Sequence, residues 1–338
     1  MTTERPDPST IMRLATGYWA SATLLAANKL GVFGALAAGP RPATAVAREL
    51  GLAARSTEML LDACVGLGLL TKEDGTEGSV YRNTPDTEAF LVPGGPGYLS
   101  TSIQWAADQY EAWGALAGSV RSDTPAVPPA VHLGDDPEQT RTFVLAMHRR
   151  ALGVARGVIQ FLDFAGSEQL LDVGGGPGTY SVLLAQKYPG LHSTVLDLPA
   201  VVTIAEELIR EAGFADRVRV KPGNGTVDDY GDADYDAVLF SGVLHQMAPE
   251  TIRGMFRKAK KALRPGGRIA VSDMMLNADR TQPVFSALFS LQMLLTSAEG
   301  AVFSSDECRS WLEAEGFHNV RVQALPPPLP YVIVRAVS

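Results

Sequence analysis

From residue 166 onward, the chain alternates between short apolar segments, typical of strands, and amphipathic segments, typical of helices. Strands that are apolar along their whole length belong to a mostly parallel sheet covered by helices on both faces. We therefore predict an α/β fold over residues 163–338, a doubly wound Rossmann-like domain. Ligands of such sheets bind beyond the carboxyl ends of the strands. The segments expected to be strands are EQLLDVGG, HSTVLDLP, RVRVKPG, YDAVLFSG, GRIAVSDMM and YVIVRAV.

The first loop at that edge, in LLDVGGGPGTY, is rich in glycine. Asp172 ends the strand, and Gly174, Gly176 and Gly178 let the backbone turn tightly and approach a ligand with no Cβ in the way. The dinucleotide-binding fingerprint has its third glycine where this chain has Thr179. This residue weighs against a nicotinamide cofactor without excluding it, and a glycine-rich turn that binds nothing is the remaining alternative.

The second strand ends at Asp197, 21 residues after Gly176. A carboxylate at this position can accept hydrogen bonds from both hydroxyls of a cofactor ribose. The alternative is an N-cap for the next helix, but Pro199 separates Asp197 from that helix. We favour the ribose role, because the glycine loop and the acid stand at the spacing that one cofactor requires.

The N-terminal part, residues 1–98, is predicted to be an α-helical domain with one β-hairpin. Ser9 or Thr10 is expected to cap a helix that runs to about Lys29, and Ser56 is expected to cap a later helix. Two short β segments then follow around a glycine-rich turn. Helix, helix and β-wing is the order of a winged helix-turn-helix.

A winged helix introduces DNA binding as a possible function. The candidate recognition helix carries Glu58 and Asp62 and, apart from Arg55 at its start, no basic residue. The net charge of −8 also argues against nucleic acid or an anionic membrane as the main partner. We expect a dimerisation domain, with a ligand-sensing regulator as the alternative.

Residues 99–162 are predicted to be a helical connector with a Pro-rich interruption at 124–131. In its last helix Phe143 and Met147 share one apolar face. They either form one wall of a substrate pocket or belong to the core, and the sequence supports both alternatives equally.

A second apolar helix is predicted over residues 285–297, FSALFSLQMLLTS. Its expected use is to close the pocket, with Phe289 and Met293 as candidate substrate contacts. Plain core packing is again the alternative.

Five motifs together resemble the class I O-methyltransferase family, whose members include plant caffeate and acetylserotonin O-methyltransferases and bacterial enzymes that methylate aromatic natural products. The resemblance covers nearly the whole chain, since that family also begins with a winged-helix dimerisation domain. It implies S-adenosylmethionine as the cofactor and a Rossmann-like methyltransferase domain. The motifs are LLDVGGGPGTY, TVLDLP, the V-L-H of SGVLHQM, LRPGGRIAVSD and WLEAEGF.

By this resemblance, the glycine loop would line the methionine end of the cofactor and Asp197 would hold its ribose. The family usually has an aspartate beside the adenine, where this chain has Asn224. Plant members often carry a lysine at the position of Ser241. The residues implied to bind the cofactor are Asp172, Gly174, Gly176, Gly178, Asp197, Leu198, Asn224, Gly225 and Ser241.

The family's catalytic base is matched by His245. A phenol has a pKa of about 10 and is a weak nucleophile at neutral pH, whereas an imidazole with a pKa of about 6.5 can take its proton. Asp273 matches the first of two acids that orient the histidine. The second falls near Val302 and is absent, although Glu299 is close enough in sequence to substitute, and Gln246 stands where the family commonly has an aspartate.

Several classes of site are not expected. The histidines show no metal-ligand spacing, so no metal site is predicted. Two cysteines are too few for a disulfide framework, which suits a reducing cytoplasm, and the polar N-terminus is not a signal peptide. We expect a homodimer that acts on a small-molecule acceptor and binds neither nucleic acid nor membrane.

The expected reaction is methyl transfer to a hydroxyl of a small aromatic or polyketide-like acceptor, as in secondary metabolism. C- or N-methylation by the same fold, a nicotinamide-dependent oxidoreductase and a winged-helix regulator remain open.

Overall fold

The computed structural model describes residues 6–75, 78–95, 97–127, 136–327 and 329–338. The chain forms two compact units, Met1–Tyr110 and Glu111–Ser338. Part of the predicted Pro-rich interruption, residues 128–131, lies outside the described residues.

The first unit is helical with one small antiparallel sheet, of strand order β1-β3-β2. Its core is apolar and includes Phe33, Leu36, Leu61, Leu70 and Tyr81. The predicted hairpin and the helices before it are confirmed. The elements are α1 (Ser9–Lys29), α2 (Val32–Ala35), β1 (Arg41–Pro42), α3 (Ala43–Leu50), α4 (Ala54–Gly66), β2 (Leu70–Gly75), β3 (Gly78–Asn83), α5 (Pro85–Leu91) and α6 (Ser100–Asp108).

Two predicted helix caps in this unit are wrong. The N-cap of α1 is Pro8, and the carboxylate of Asp7 accepts hydrogen bonds from the backbone and the hydroxyl of Ser9. Helix α4 begins before Ser56, whose hydroxyl donates back to the carbonyl of Ala53. In both cases the N-cap lies one or more residues before the hydroxyl that was expected to cap the helix.

Helix α1 leaves large apolar side chains exposed in the described part of the chain. Tyr18 and Trp19 are 56% and 61% exposed, and their rings pack edge to face with centroids 6.2 Å apart. Ile11, Met12 and Leu14 are also exposed. Among the described residues, no helix is long and apolar enough to cross a membrane.

The second unit is an α/β domain, as predicted. Its elements are α7 (Tyr110–Gly114), which begins at the last residue of the first unit, α8 (Leu116–Ser122), α9 (Pro137–Val158), β4 (Gln169–Val173), α10 (Thr179–Lys187), β5 (His192–Asp197), α11 (Pro199–Glu211), β6 (Val218–Pro222), β7 (Tyr235–Ser241), a short 3-10 turn (Leu244–Gln246), α12 (Pro249–Ala262), β8 (Leu263–Asp273), α13 (Val284–Thr296), α14 (Ser305–Ala314), β9 (His318–Ala324) and β10 (Val332–Val337).

The seven strands of this unit are ordered β6-β5-β4-β7-β8-β10-β9. The first five are parallel, and β10 runs antiparallel to both β8 and β9. All six predicted strands are present, and β9 is the one that the pattern missed. An edge strand has one open side, and β9 alternates between exposed and half-buried residues, so it lacks the apolar run of the central strands.

Helix α9 is capped by Asp136, whose carboxylate accepts the backbone N–H groups of Glu138 and Gln139. The fully buried line of this helix is Thr140, Val144, Ala155 and Val158. Phe143 and Met147 are only half-buried. The buried stripe is therefore offset by one residue from the predicted apolar face at the start of the helix.

Candidate active site

The register of the parallel strands brings the predicted site residues to one edge of the sheet. Asp172 pairs across the sheet with Val195 and Leu239, so β4 ends level with β5 and β7. Asp197 and Ser241 are the last residues of their strands. The last residue of β8, Asp273, directly follows the partner of Ser241.

The glycine loop joins β4 to α10, as predicted. Gly174, Gly176 and Gly178 all have a positive φ, which L side chains rarely adopt. A Cβ at Gly174 would lie 2.5 Å from the side chain of Val243, so the loop packs tightly on one side. A Cβ at Gly176 would meet nothing within 4 Å. The loop therefore leaves an open cradle over Gly176.

Asp172 lies beneath this loop and is fully buried. Its Oδ2 accepts the hydroxyl of Ser181 at 2.7 Å, and Ser181 is 2.7 Å from the hydroxyl of Ser193. Since Ser181 gives its one hydrogen to the carboxylate, Ser193 is the donor in the second bond. Asp172 Oδ1 is buried without a hydrogen-bond partner in the described part of the chain. Burial raises the pKa of Asp172 to about 7, against the effect of the Ser181 hydrogen bond.

The carboxylate of Asp197 ties two backbone segments together. Oδ2 accepts the N–H of Gly176 and Oδ1 accepts the N–H of Leu198, both at 2.7 Å. Each oxygen keeps a further lone pair for a ligand. Burial raises the pKa of Asp197, and the two backbone N–H groups oppose the rise. Asp197 does not cap α11, whose N-cap is Leu198.

The turn after β6 lies beside Asp197. The backbone N–H of Gly223 donates to the carbonyl of Asp197 at 2.9 Å. Asn224 Oδ1 accepts the backbone N–H and the hydroxyl of Thr226. Two side chains fix the turn in place: the carbonyl of Gly225 accepts hydrogen bonds from Oη of Tyr230 at 2.6 Å and from Nζ of Lys258 at 2.7 Å.

Ser241 lies next to the phenol of Tyr180, the second residue of α10, which is half-buried. Burial and the neighbouring phenol of Tyr331 raise the pKa of Tyr180, so it is a neutral hydrogen-bonding group at physiological pH. Tyr180 was not predicted as a site residue, because a tyrosine in the first turn of an amphipathic helix is most often core.

His245 and Asp273 form a buried pair. His245 lies in the 3-10 turn after β7, and its Nδ1 is 2.7 Å from Oδ1 of Asp273. The same Oδ1 accepts the backbone N–H of Met274 at 2.9 Å, which orients the carboxylate. Asp273 Oδ2 is buried without a hydrogen-bond partner among the described residues. A histidine whose Nδ1–H donates to a carboxylate has a free lone pair on Nε2, which is the arrangement of a general base.

The predicted contacts of α13 lie next to this pair. The ring of Phe289 packs edge-on against the imidazole of His245, with centroids 4.9 Å apart. Phe289 and Met293 are buried in one cluster together with Met274 and Val302. The position of the family's second acid is therefore apolar.

The structure does not bring Glu299, the possible substitute for that acid, into contact with His245. In the described part of the chain Glu299 is exposed and makes no hydrogen bond to His245. The imidazole is thus oriented by one carboxylate and one aromatic ring, Asp273 and Phe289.

The other two candidate substrate residues belong to a different part of the domain. Phe143 packs on the cluster formed by Val144, Val201 and Ile204, between α9 and α11. Met147 is half-buried on the same helix. The structure therefore places Phe143 and Phe289 in separate apolar clusters.

One residue that sequence reasoning missed is His148. Its Nδ1 is 2.8 Å from the hydroxyl of Thr179, the first residue of α10 after the glycine loop. Burial, aided by the charge of Arg149, lowers the pKa of His148, while Glu211 opposes the change. The only sequence signal was Thr179 itself, a hydroxyl where the dinucleotide fingerprint has glycine. Among the described residues no cluster of three His, Cys, Asp or Glu side chains could hold a metal ion.

Comparisons with known proteins identify the family of the chain. A family model described as an O-methyltransferase domain matches residues 124–318, and a model of the O-methyltransferase dimerisation domain matches residues 12–93. The 3-hydroxy-5-methyl-1-naphthoate 3-O-methyltransferase of Streptomyces sahachiroi is 34% identical over 95% of this chain and 92% of its own length. The N,N-dimethyltransferase OxyT of Streptomyces rimosus is 32% identical over 91% of this chain and 90% of its own.

Among solved structures, human N-acetylserotonin methyltransferase in complex with SAM matches with a TM-score of 0.88 and 27% identity, and the match covers 100% of this chain and 99% of that chain. The match to the O-methyltransferase domain model covers both the glycine loop and the His245–Asp273 pair. The chain is a methyltransferase and belongs to the O-methyltransferase family, with that family's dimerisation domain at its N-terminus.

Proposed function

We propose that this protein transfers a methyl group from S-adenosylmethionine to a hydroxyl of a small aromatic or polyketide-like acceptor, with His245 as the general base. The observation that carries the proposal is the buried pair of His245 and Asp273 at the sheet edge that also holds the glycine loop and Asp197. A relative that methylates a hydroxynaphthoate supports the choice of acceptor class.

The residues at the sheet edge fit the cofactor. Gly176 leaves an open cradle, and both oxygens of Asp197 keep a lone pair for the two ribose hydroxyls. Oδ1 of Asp172 is buried beneath the loop with no hydrogen-bond partner among the described residues, and a bound cationic methionine end would favour the ionised form of this carboxyl. S-adenosylmethionine, when bound, supplies an electrophilic methyl group on a positively charged sulfur.

His245 would accept the proton of the acceptor hydroxyl at Nε2 as the oxygen attacks. Asp273 would keep the Nδ1–H tautomer in place and balance the imidazolium charge that forms. Phe289, packed edge-on, limits rotation of the imidazole and excludes water from one side. General-base catalysis of this kind contributes roughly 10²–10⁴ in rate, and positioning of the reactants contributes the rest.

The cofactor part of the proposal is tested by calorimetric titration of S-adenosylmethionine and S-adenosylhomocysteine into the wild type and Asp197→Ala. We expect clear wild-type binding and a loss of about tenfold or more in the variant, since a charge-assisted contact to the ribose is removed. Asp216→Ala is the matched control, because Asp216 is exposed and lies outside the sheet edge. Absence of wild-type binding would refute the cofactor assignment.

The acceptor part is tested with a panel of hydroxynaphthoates, simple phenols and aromatic amines. Transfer of a labelled methyl group to an oxygen supports the proposal. Exclusive transfer to nitrogen would instead favour the runner-up, N-methylation, which has the N,N-dimethyltransferase relative in its support. A base at His245 serves both reactions, so the product and not the histidine variant separates them.

We further propose that the chain is a homodimer. The family's dimerisation domain matches residues 12–93, and α1 exposes Tyr18 and Trp19 there. Exposed apolar faces of this kind are typical of protein interfaces. Sedimentation at micromolar concentration should give about twice the mass of the chain, and a monomer would contradict this assignment.

A further inference from the structure

The turn after β6 carries an exposed amide, that of Asn224, whose polarity is fixed by its hydrogen bonds. Asp197 pairs across the sheet with Pro222, and Gly223 donates its N–H to the carbonyl of Asp197. Asn224 is therefore the first side chain beyond β6 at the edge where the ribose is proposed to bind. If the methionine end binds over β4 and the ribose at β5, as proposed above, the strand order makes β6 and Asn224 the next groups that the purine base would meet.

The orientation of the Asn224 amide follows from its partners. One of its terminal atoms is 2.9 Å from the backbone N of Thr226 and 2.8 Å from the hydroxyl of Thr226. A backbone N–H can only donate, so the atom that faces it must be the amide oxygen and not the NH₂ group. The two hydrogen bonds occupy both lone pairs of that oxygen. The exposed end of Asn224 is consequently the NH₂ group, which only donates.

The backbone of Asn224 offers the base no free donor, because its N–H already binds Oδ2 of Asp228 at 2.7 Å. The carboxylate of Asp228 thus belongs to the same turn. A Cβ at Gly223 would lie 2.9 Å from that Oδ2, which places the carboxylate against the backbone of the turn. Oδ2 of Asp228 is therefore occupied in shaping the turn, and Asn224 is the first side chain of the turn that could reach the proposed base.

We propose that Asn224 recognises the base as a hydrogen-bond donor, so that the cofactor site accepts a 6-oxopurine nucleoside as well as adenosine. The inference rests on the proposed cofactor function and adds the base specificity of the same site. Adenine carries an amino donor at C6 and acceptors at N1 and N7, whereas hypoxanthine carries a carbonyl acceptor at C6. An NH₂ group can donate to N1 or N7 of adenine, or to O6 of hypoxanthine, but it gives the adenine amino group no acceptor.

An aspartate at position 224 would behave differently. One of its oxygens would keep the two contacts with Thr226, and the other would take the place of the NH₂ group and accept from the adenine amino group. The same oxygen would repel the carbonyl of a 6-oxopurine. Asn224→Asp is therefore expected to change a site that accepts both adenine and a 6-oxopurine into one that is selective for adenine, without a change in side-chain size.

The test is calorimetric binding of S-adenosylhomocysteine and of its 6-oxo analogue, S-inosylhomocysteine, to the wild type, Asn224→Asp and Asp228→Asn. We expect the wild type to bind the two compounds within about threefold of each other, and Asn224→Asp to prefer S-adenosylhomocysteine by about tenfold or more. The ratio is taken within each variant, so a general loss of affinity cancels. Asp228→Asn should leave the wild-type ratio unchanged.

Three results would overturn the inference. A wild type that already prefers S-adenosylhomocysteine as strongly as Asn224→Asp would show that Asn224 does not set the specificity. A ratio that changes in Asp228→Asn and not in Asn224→Asp would assign the base contact to Asp228. If the wild type binds neither compound, the proposed cofactor function fails as well, and this failure is distinct from strong binding without the expected ratio.

Discussion

Nδ1 of His245 lies 2.7 Å from Oδ1 of Asp273, and both side chains are more than nine-tenths buried at the carboxyl edge of the sheet. The pair joins the turn after β7 to the last residue of β8, which are adjacent parallel strands. The carboxylate is oriented in turn by the backbone N–H of Met274. This chain of contacts leaves Nε2 of the imidazole as the free basic atom.

Replacing the proposed base, His245, should lower the catalytic rate and leave cofactor binding unchanged. His245→Ala is expected to lower kcat by about 10²–10⁴ with an unchanged affinity for S-adenosylhomocysteine, since the imidazole acts on the acceptor proton. Steady-state kinetics and calorimetry on one preparation measure both quantities. His192→Ala is the control, because His192 is exposed at the opposite end of β5. Equal kcat values in wild type and His245→Ala would contradict the proposed base.

Oδ2 of Asp273 has no hydrogen-bond partner among the described residues. Substitutions of Asp273 can therefore test the effect of its charge separately from the effect of its orienting hydrogen bonds. Asp273→Asn can keep its amide oxygen toward His245 and Met274 and place its NH₂ where Oδ2 now has no partner. Asp273→Ala removes the acceptor altogether. We expect kcat to fall in the order wild type, Asn, Ala, with the Ala variant lower by about tenfold or more than the Asn variant. An Asn variant as slow as the Ala variant would show that charge alone matters.

The buried carboxyl of Asp172 should make stability fall as the pH rises. Its pKa is raised by burial to about 7, so between about pH 4 and pH 7 the folded state holds a proton that the unfolded state has lost. Asp172→Asn lacks this proton. The difference in the free energy of unfolding, variant minus wild type, should therefore increase by about 2 kcal/mol from pH 5.5 to pH 8.

Denaturant unfolding of both proteins at the two pH values measures this difference. Ser193→Ala is the control, because it breaks only the outer link of the chain from Ser193 through Ser181 to Asp172 and leaves the carboxyl in place. A difference that is constant with pH would mean that Asp172 is ionised throughout.

His148 should act on stability in the opposite direction. Burial lowers its pKa, so as the pH falls below about 6.5 the unfolded state takes up a proton before the folded state does, and stability is lost. His148→Gln has no such proton and is expected to lose less stability than the wild type between pH 7 and pH 5. Denaturant unfolding of both proteins at the two pH values measures this loss. If the wild type and His148→Gln lose the same free energy of unfolding between pH 7 and pH 5, the predicted contribution of His148 is excluded.

Loss of the contact between His148 and Thr179 should also weaken binding of the cofactor. Thr179→Val removes the hydroxyl that His148 binds at the start of α10, while Thr179→Ser keeps it. We expect Thr179→Val to weaken binding of S-adenosylhomocysteine several-fold and Thr179→Ser to leave it near the wild-type value. Calorimetry on the wild type and the two variants measures these affinities. Equal affinities would show that the contact contributes to folding and not to cofactor binding.

Phe289 is expected to position His245 through its edge-on packing. Phe289→Leu keeps an apolar side chain but loses the aromatic edge, so kcat should fall several-fold while the KM for S-adenosylmethionine stays constant. Phe285→Leu is the matched control. Phe285 is 48% exposed, its ring stacks on that of Phe289 with centroids 6.2 Å apart, and no aromatic contact with His245 is described for it. A greater loss in the control would refute the positioning role.

The fold of the second unit could be predicted from the sequence because its central strands are apolar along their whole length and its helices have one apolar face. The glycine loop and Asp197 could be predicted for the same reason, since both stand at strand ends and their spacing is a property of the chain alone. The edge strand β9 and the caps of α1 and α4 were missed or misplaced. An edge strand is half polar, and the residue at which a helix begins depends on competing local hydrogen bonds.

Other relationships required the tertiary structure, because each one joins groups that are far apart in the chain. The pairing of His245 with Asp273 spans 28 residues, and that of His148 with Thr179 spans 31. The burial that raises the pKa of Asp172 comes from the layers packed on both sides of β4. Local sequence determines which side chains stand at the strand ends, whereas packing of distant elements determines what each of them touches and how it ionises.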